Sequence, residues 1–353
     1  MMDFYKAYPK EKMEEVENHL RKVWSGEIKG TYSCISLEPN YRQLEDESQA
    51  PQLAARCILD NAGYPGYNPP RLVVDFGTVS MPQFWGGTVK LPVGGCKSIE
   101  PIIHGVDDLE GLHPADPESL DAVKGLKQYR DVCGLLKTED LYCTTFDFQG
   151  PLTTAAMLWD QTDFMVSMCT EPEEVHRFLD HVTDHIIKVM KTFVKNTGHR
   201  VCGNTWPYIW LPCDIGMGIT EDYMPLISSD MYKEFGIPYV ERISREFGGL
   251  FIHCCGSYEH QIENLKNSDI NILGLEFHYP FTKPEPLFEA FGDSCLFLPY
   301  ISISQNDEFK SYAEYFSYLK EIKRPETRFW FILDPKGEDF KDQLKVVQEI
   351  VGE

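Results

Sequence analysis

Gly248-Gly249-Leu250-Phe251-Ile252-His253-Cys254-Cys255-Gly256 is a short apolar run fenced by glycine that ends in His-Cys-Cys. It is too short for a helix and is bounded by turn formers, which predicts a buried strand. Side chains alternate along a strand, so His253 and Cys255 fall on one face and Cys254 on the other. An imidazole and a thiol side by side at the carboxyl end of a buried strand make half of a zinc site. Plain packing would use the same residues, since free cysteine behaves as a small apolar side chain.

Working outward, residues 272–278, 295–298 and 328–334 repeat the pattern of a short apolar run, each preceded or followed by a helical segment. Upstream, residues 31–37, 72–76, 141–147 and part of 199–210 read the same way. About eight strands, most followed by a helix, predict an α/β fold, a single (β/α)8 TIM barrel. Residues 11–24 place Met13, Val16, Leu20 and Val23 at helical spacing and form an N-terminal helical extension. Residues 60–71, 111–119 and 213–218, with Trp85-Gly86-Gly87 and Pro92-Val93-Gly94-Gly95, read as long rim loops. No linker divides the chain, so one domain over residues 1–353 is expected: an extension and first strand to residue 70, then the main barrel over 71–353.

Thr170-Glu171-Pro172-Glu173 has the form of a capping box. It opens a helix whose apolar face is Val175, Phe178, Leu179, Val182, Ile186 and Val189. His181 and His185 have the i, i+4 spacing of a helical metal pair. Val182-Thr183-Asp184 between them supplies no catalytic glutamate, so a solvated face is expected for these histidines.

The balance of 42% hydrophobic and 25% charged residues is that of a globular protein. A net charge of -22 argues against a nucleic-acid partner held through phosphates. No stretch has the length of a membrane helix, and the start, Met1-Met2-Asp3-Phe4-Tyr5-Lys6, lacks the apolar core of a signal peptide. Eleven cysteines without a Cys-x-x-Cys pair suit reduced thiols in the cytoplasm.

In a (β/α)8 barrel, chemistry sits at the carboxyl ends of the strands. Asp147, Gln149, Asn204, Trp206, His253, Cys255, Glu276, His278 and Asp334 fall there on this reading. A catalytic zinc takes about three protein ligands. His253 and Cys255 leave one place, for which Glu276 is the first candidate and His278 and Asp334 are rivals. Glu276 could instead orient His253, and Asp334 before Pro335 could cap a turn. Cys295 opens its strand and belongs to the opposite end.

Several motifs resemble the uroporphyrinogen decarboxylase superfamily, in the branch similar to zinc- and corrinoid-dependent methyltransferases. They are Phe148-Gln149-Gly150-Pro151-Leu152-Thr153, Glu171-Pro172-Glu173-Glu174-Val175, Glu221-Asp222 with Ile227-Ser228-Ser229-Asp230-Met231-Tyr232, Ile237-Pro238-Tyr239, and His253-Cys254-Cys255-Gly256. The resemblance runs from about Asp75 to the C-terminus and implies the same barrel. The decarboxylase's own Arg-Gln-Ala-Gly-Arg segment has no counterpart, and Leu333-Asp334-Pro335-Lys336-Gly337 replaces its Gly-His-Gly.

In the thiol-alkylating methyltransferases the zinc ligands resemble His253 and Cys255, plus a cysteine that here falls near Leu333 or Asp334 and is absent. A site with one carboxylate is harder than a sulfur-rich one and suits a methyl ether or amine as well as a thiol. The resemblance thus implies a zinc enzyme that moves a methyl group between a small methylated substrate and a corrinoid (cobalamin) carried on a partner protein. Asp147, Gln149 and Asp222 are expected to act with Glu276 as catalytic or hydrogen-bonding groups. Trp206 and Tyr208, with Trp85 and Trp210, are expected as an aromatic wall for substrate or corrin. The alternatives are a metal-independent decarboxylase or lyase, and a non-catalytic barrel that binds a small molecule.

Overall fold

The computed structural model describes residues 3–35, 47–91, 97–204, 206 and 208–353. The loop at Pro92-Val93-Gly94-Gly95 and the end of the first strand at Ser36-Leu37 lie outside the described residues. The strands are β1 (Gly30–Cys34), β2 (Arg71–Leu72), β3 (Thr88–Lys90), β4 (Ser98–Glu100), β5 (Tyr142–Cys143), β6 (Met217–Thr220), β7 (Leu250–His253), β8 (Ile272–Tyr279), β9 (Leu296–Ile301) and β10 (Arg328–Leu333). Six of them form one parallel sheet in the order β1-β10-β9-β8-β7-β6. β2 and β5 form a parallel pair, and single bridges at Cys143–Val201 and Gln149–Thr220 carry that pair toward β6. These eight strands, with helices between them, are the staves of a (β/α)8 barrel, and β3-β4 is an antiparallel ribbon on its rim.

Between β1 and β2 the described residues form a seam rather than a ladder. β1 spends its bonds on the loop before β2: Ser33 Oγ donates to the Tyr67 carbonyl and the Asn68 side chain accepts from Cys34 N–H.

Two apolar layers follow from the alternation. Leu250, Ile252 and Cys254 join Leu275 and Phe277 in the layer between strands and helices. Phe251, Leu296, Leu298 and Trp330 point inward and meet Trp24 and Trp210, which fill the barrel from below. Trp24 belongs to the helix Lys10–Ser25, whose buried stripe is Met13, Val16, Leu20, Val23 and Trp24. Its indole donates to the Trp210 carbonyl at 2.8 Å, and Arg328 donates to the carbonyls of Val23 and Trp24 at the helix end.

One irregularity sets the level of the polar layer. Leu250 stands beside Ile272, but Phe251 stands beside Gly274, so β8 carries one extra residue at this point. Residues at one level of parallel strands share a face. The bulge therefore brings Glu276 and His278 inward with His253 and sends Leu275 and Phe277 to the helix layer.

Four sequence expectations are corrected. The strands at 72–76 and 141–147 shrink to two residues each, because the Thr144 hydroxyl takes the Val74 N–H that a longer ladder would use. The segment 213–218, expected as loop, runs into β6. Its Gly218 is there because a Cβ would meet Asn204 at 2.7 Å, not because the chain turns. The helix Pro172–Asn196 has no side-chain cap, since the Thr170 hydroxyl turns to Val166 and Glu171. His185 is buried, because helical spacing sets it on the stripe of Phe178, Val182 and Val189. No helix among the described residues is long and apolar enough to cross a membrane.

Candidate functional site

At the carboxyl end of β7 the chain delivers His253 and Cys255 to the barrel mouth, while Cys254 is buried on the other side. β6 ends one residue before Glu221-Asp222, and the Glu221 N–H donates to the His253 carbonyl at 2.8 Å. That bond holds Asp222 against the tip of β7. Asp222 Oδ1 accepts from Cys255 N–H at 3.1 Å, lies 3.1 Å from Cys255 Sγ, and stands 3.7 Å from His253 Nε2. Ligand atoms of Asp222, His253 and Cys255 all lie within 4.8 Å of one another.

Glu276 is fully buried behind this group. Its Oε2 lies 2.5 Å from His253 Nδ1, and its Oε1 lies 3.0 Å from His278 Nε2 and accepts from Trp206 Nε1–H at 3.0 Å. His253, Glu276 and His278 form a second group with donor atoms within 4.8 Å. Burial works against charge on Glu276, but the neighbouring His253 and the bonds from both imidazoles hold its carboxyl at about 2. Burial equally opposes protonation of His253, yet Glu276, Cys255 and Asp222 carry the imidazole well above its ordinary range. A bond from His253 favours the Cys255 thiolate, but burial and the Asp222 carboxylate outweigh it and push the thiol up.

Asp147 lies on the adjoining wall, where Thr220 Oγ1 (2.8 Å) and Asn204 Nδ2 (3.2 Å) donate to it. Burial pushes its carboxyl up to about 6. Gln149 is buried nearby with its Nε2 unpartnered. Trp206 and Tyr208 meet edge to face at 5.0 Å, and Trp206 stands 5.8 Å from Tyr300, so the mouth has an aromatic wall. Tyr208 adopts a left-handed backbone with φ of 67°.

Other expected residues lie elsewhere. Asp334 is exposed and accepts from Lys336 N–H, as a turn cap does. Trp210 is in the inner floor, and Trp85 packs on Phe178 and His185 behind the barrel wall. Cys295 is buried at the opening of β9.

Two residues of the site were given no role from the sequence. Tyr300 lies 4.3 Å from His278, and its inward parity two residues after Leu298 would have marked it had the strand been carried past residue 298. Glu221 is fully buried, accepts from Tyr232 Oη at 3.2 Å, and burial pushes its carboxyl up to about 8. Its signal was a carboxylate directly after an apolar run, masked by the glycines of 216–218.

Residues 42–212 match the uroporphyrinogen decarboxylase (URO-D) family, a segment that holds Asp147 and Gln149 and stops short of Asp222, His253, Cys255 and Glu276. No curated protein sequence matches the chain. Among solved structures, a methyltransferase from Methanosarcina mazei is similar with a TM-score of 0.68 at 14% identity, covering 95% of this chain and 98% of that one. A B12-independent methionine synthase from Shewanella sp. W3-18-1, in complex with selenomethionine, gives a TM-score of 0.47 at 11% identity over 92% and 97% of the two chains. The first likeness is one of fold. The family match covers β2 and β5, and the likeness of fold extends to the barrel that β6–β10 and β1 complete, so the uroporphyrinogen decarboxylase family is the one this chain resembles.

Proposed function

We propose that this chain is a cytoplasmic zinc-dependent methyltransferase, moving a methyl group between a small methylated substrate and a corrinoid carried on a separate protein. One observation carries the reading: Asp222 Oδ1, Cys255 Sγ and His253 Nε2 converge at the carboxyl end of the barrel. Donor atoms around a tetrahedral zinc stand roughly 3–4 Å apart, given bonds of about 2.0–2.3 Å. The separations of 3.1 and 3.7 Å from Asp222 fit that demand. The donor chemistry fits as well, since imidazole, thiolate and carboxylate are all zinc ligands and leave a fourth position for substrate.

In this reading His253, Cys255 and Asp222 hold the metal. Glu276 orients His253 by taking its Nδ1–H, which leaves the Nε2 lone pair for the metal, an arrangement common behind metal-bound histidine. As a direct ligand Glu276 would have to give up a bond to His253 or those to His278 and Trp206. Zinc, when bound, supplies a Lewis acid toward the heteroatom that bears the methyl group. Trp206, Tyr208 and Tyr300 offer apolar surface to the rest of the substrate, and Asp147 and Gln149 offer it hydrogen bonds. The hardness of a site with one carboxylate favours a methyl ether or amine over a thiol.

The test is metal analysis of purified protein beside Cys255→Ala, followed by methyl transfer to a corrinoid protein. About one zinc per chain, lost in the variant together with transfer, is the expected result. A chain that takes up no zinc after reconstitution under reducing conditions would put the metal-free decarboxylase or lyase reading ahead.

A further inference from the structure

Far from the mouth, at the foot of β2, Arg71 is 9% exposed and both terminal nitrogens of its guanidinium are buried without a hydrogen-bond partner. No described carboxylate pairs with it, in a chain with 55 acidic residues. Arginine cannot escape burial by losing its proton. An isolated buried charge is among the most expensive things a fold can contain, and a compensating charge is the usual answer.

Arg71 lines a cavity of about 30 Å³ in the β1–β2 seam, with Tyr8, Ser33, Asn68, Ile58 and Leu72 among its walls. The polar groups of that wall are already committed. Tyr8 Oη donates to the Ile58 carbonyl, Ser33 Oγ to the Tyr67 carbonyl, and Asn68 Nδ2 to the carbonyls of Tyr64 and Pro65. Asn68 Oδ1 accepts from Cys34 N–H. The guanidinium thus faces a small hole in which no described group neutralises it. At roughly 10–15 Å³ for one water-sized particle, the hole takes two or three such particles and no phosphate or sulfate.

We infer that this seam is a binding site for a single small monovalent anion of chloride size, with Arg71 as its ligand. Water could bond the nitrogens but would leave the charge uncompensated. The anion would join β1 to β2 where the described backbone forms no ladder, so its role is to close the barrel rather than to take part in chemistry.

The test is thermal unfolding of the full chain at constant ionic strength, with chloride exchanged stepwise for gluconate, which is too large for the cavity. The wild-type midpoint should rise by roughly 2–3 °C as chloride saturates, by mass action on the folded state. Arg71→Met should be flat across the same exchange. Equal midpoints for the wild type in both salts, or an unchanged chloride response in the variant, would overturn the inference. Should Arg71→Met not fold, wild-type crystals soaked in bromide decide: an anomalous peak beside the guanidinium supports the site, and its absence refutes it.

Discussion

His253 turns its Nδ1 to Glu276 at 2.5 Å and, by doing so, presents Nε2 to the side where Asp222 and Cys255 lie. One hydrogen bond therefore fixes which nitrogen faces the mouth. Glu276 serves this purpose from a fully buried position, steadied by His278, Trp206 and a bond from Tyr258 Oη to its own carbonyl.

This division of labour predicts a graded set of zinc contents. Cys255→Ala and Asp222→Asn should each lose the metal on gel filtration. Glu276→Gln should retain it with an affinity about 10–100-fold weaker, the usual cost of removing an orienting partner. Asp334→Ala should bind as the wild type does. Competition with a chromophoric chelator measures all four. Loss of zinc in Glu276→Gln as complete as in Cys255→Ala would make Glu276 a direct ligand.

Gly150 touches the same region from beneath. A Cβ there would fall 1.5 Å from Glu221 Oε1 and 3.3 Å from the Thr220 carbonyl. Gly150→Ala should cost about 1–3 kcal/mol in urea unfolding, the range for overpacking a close-fitted interior. Combined with Glu221→Ala, which clears the space, the loss should fall well short of the sum of the two single changes.

His185 gives the protein an acid-labile point. Burial holds its imidazole down at about 4 against an ordinary 6.5, and its Nε2 has no partner. The unfolded chain therefore binds the proton first, and stability drains as pH falls from about 6.5 to 4. The full effect is on the order of 3 kcal/mol. His185→Phe should remove that slope while leaving stability near pH 7 little changed, as chemical denaturation across the pH range would show.

Trp206→Phe keeps a ring beside Tyr208 and Tyr300 but removes the indole N–H from Glu276. Glu276 stays buried with one donor fewer, so the folded state should lose roughly 1–3 kcal/mol. Equilibrium unfolding of the metal-free protein reads this directly, and a neutral result would mean that water replaces the indole.

The parts of the site that were legible in the sequence are those set by alternation alone. His253 and Cys255 share a face because they are two apart in one strand, and Glu276 and His278 repeat that logic in the next. Asp222 was expected as a catalytic or hydrogen-bonding group and not as a neighbour of His253 and Cys255 in a donor cluster, because Gly216 and Gly218 resemble a turn when their purpose is to let the backbone pass close to Leu273 and Asn204. The short ladders of β2 and β5 were equally hidden, since a threonine hydroxyl replaces a strand bond only once tertiary contacts exist. His185 was misread for a simpler reason: polarity outweighed its position on an apolar stripe.

The extra residue in β8 carries a wider consequence. Because side chains alternate, the register of β8 against β7 decides which residues see the mouth, and the bulge absorbs the one residue that would otherwise shift it. Were Leu273 paired with Phe251 as a regular rung, Leu275 and Phe277 would take the places of Glu276 and His278 at the level of His253. A polar centre would become an apolar plug through a one-residue slip of register, with no change of sequence.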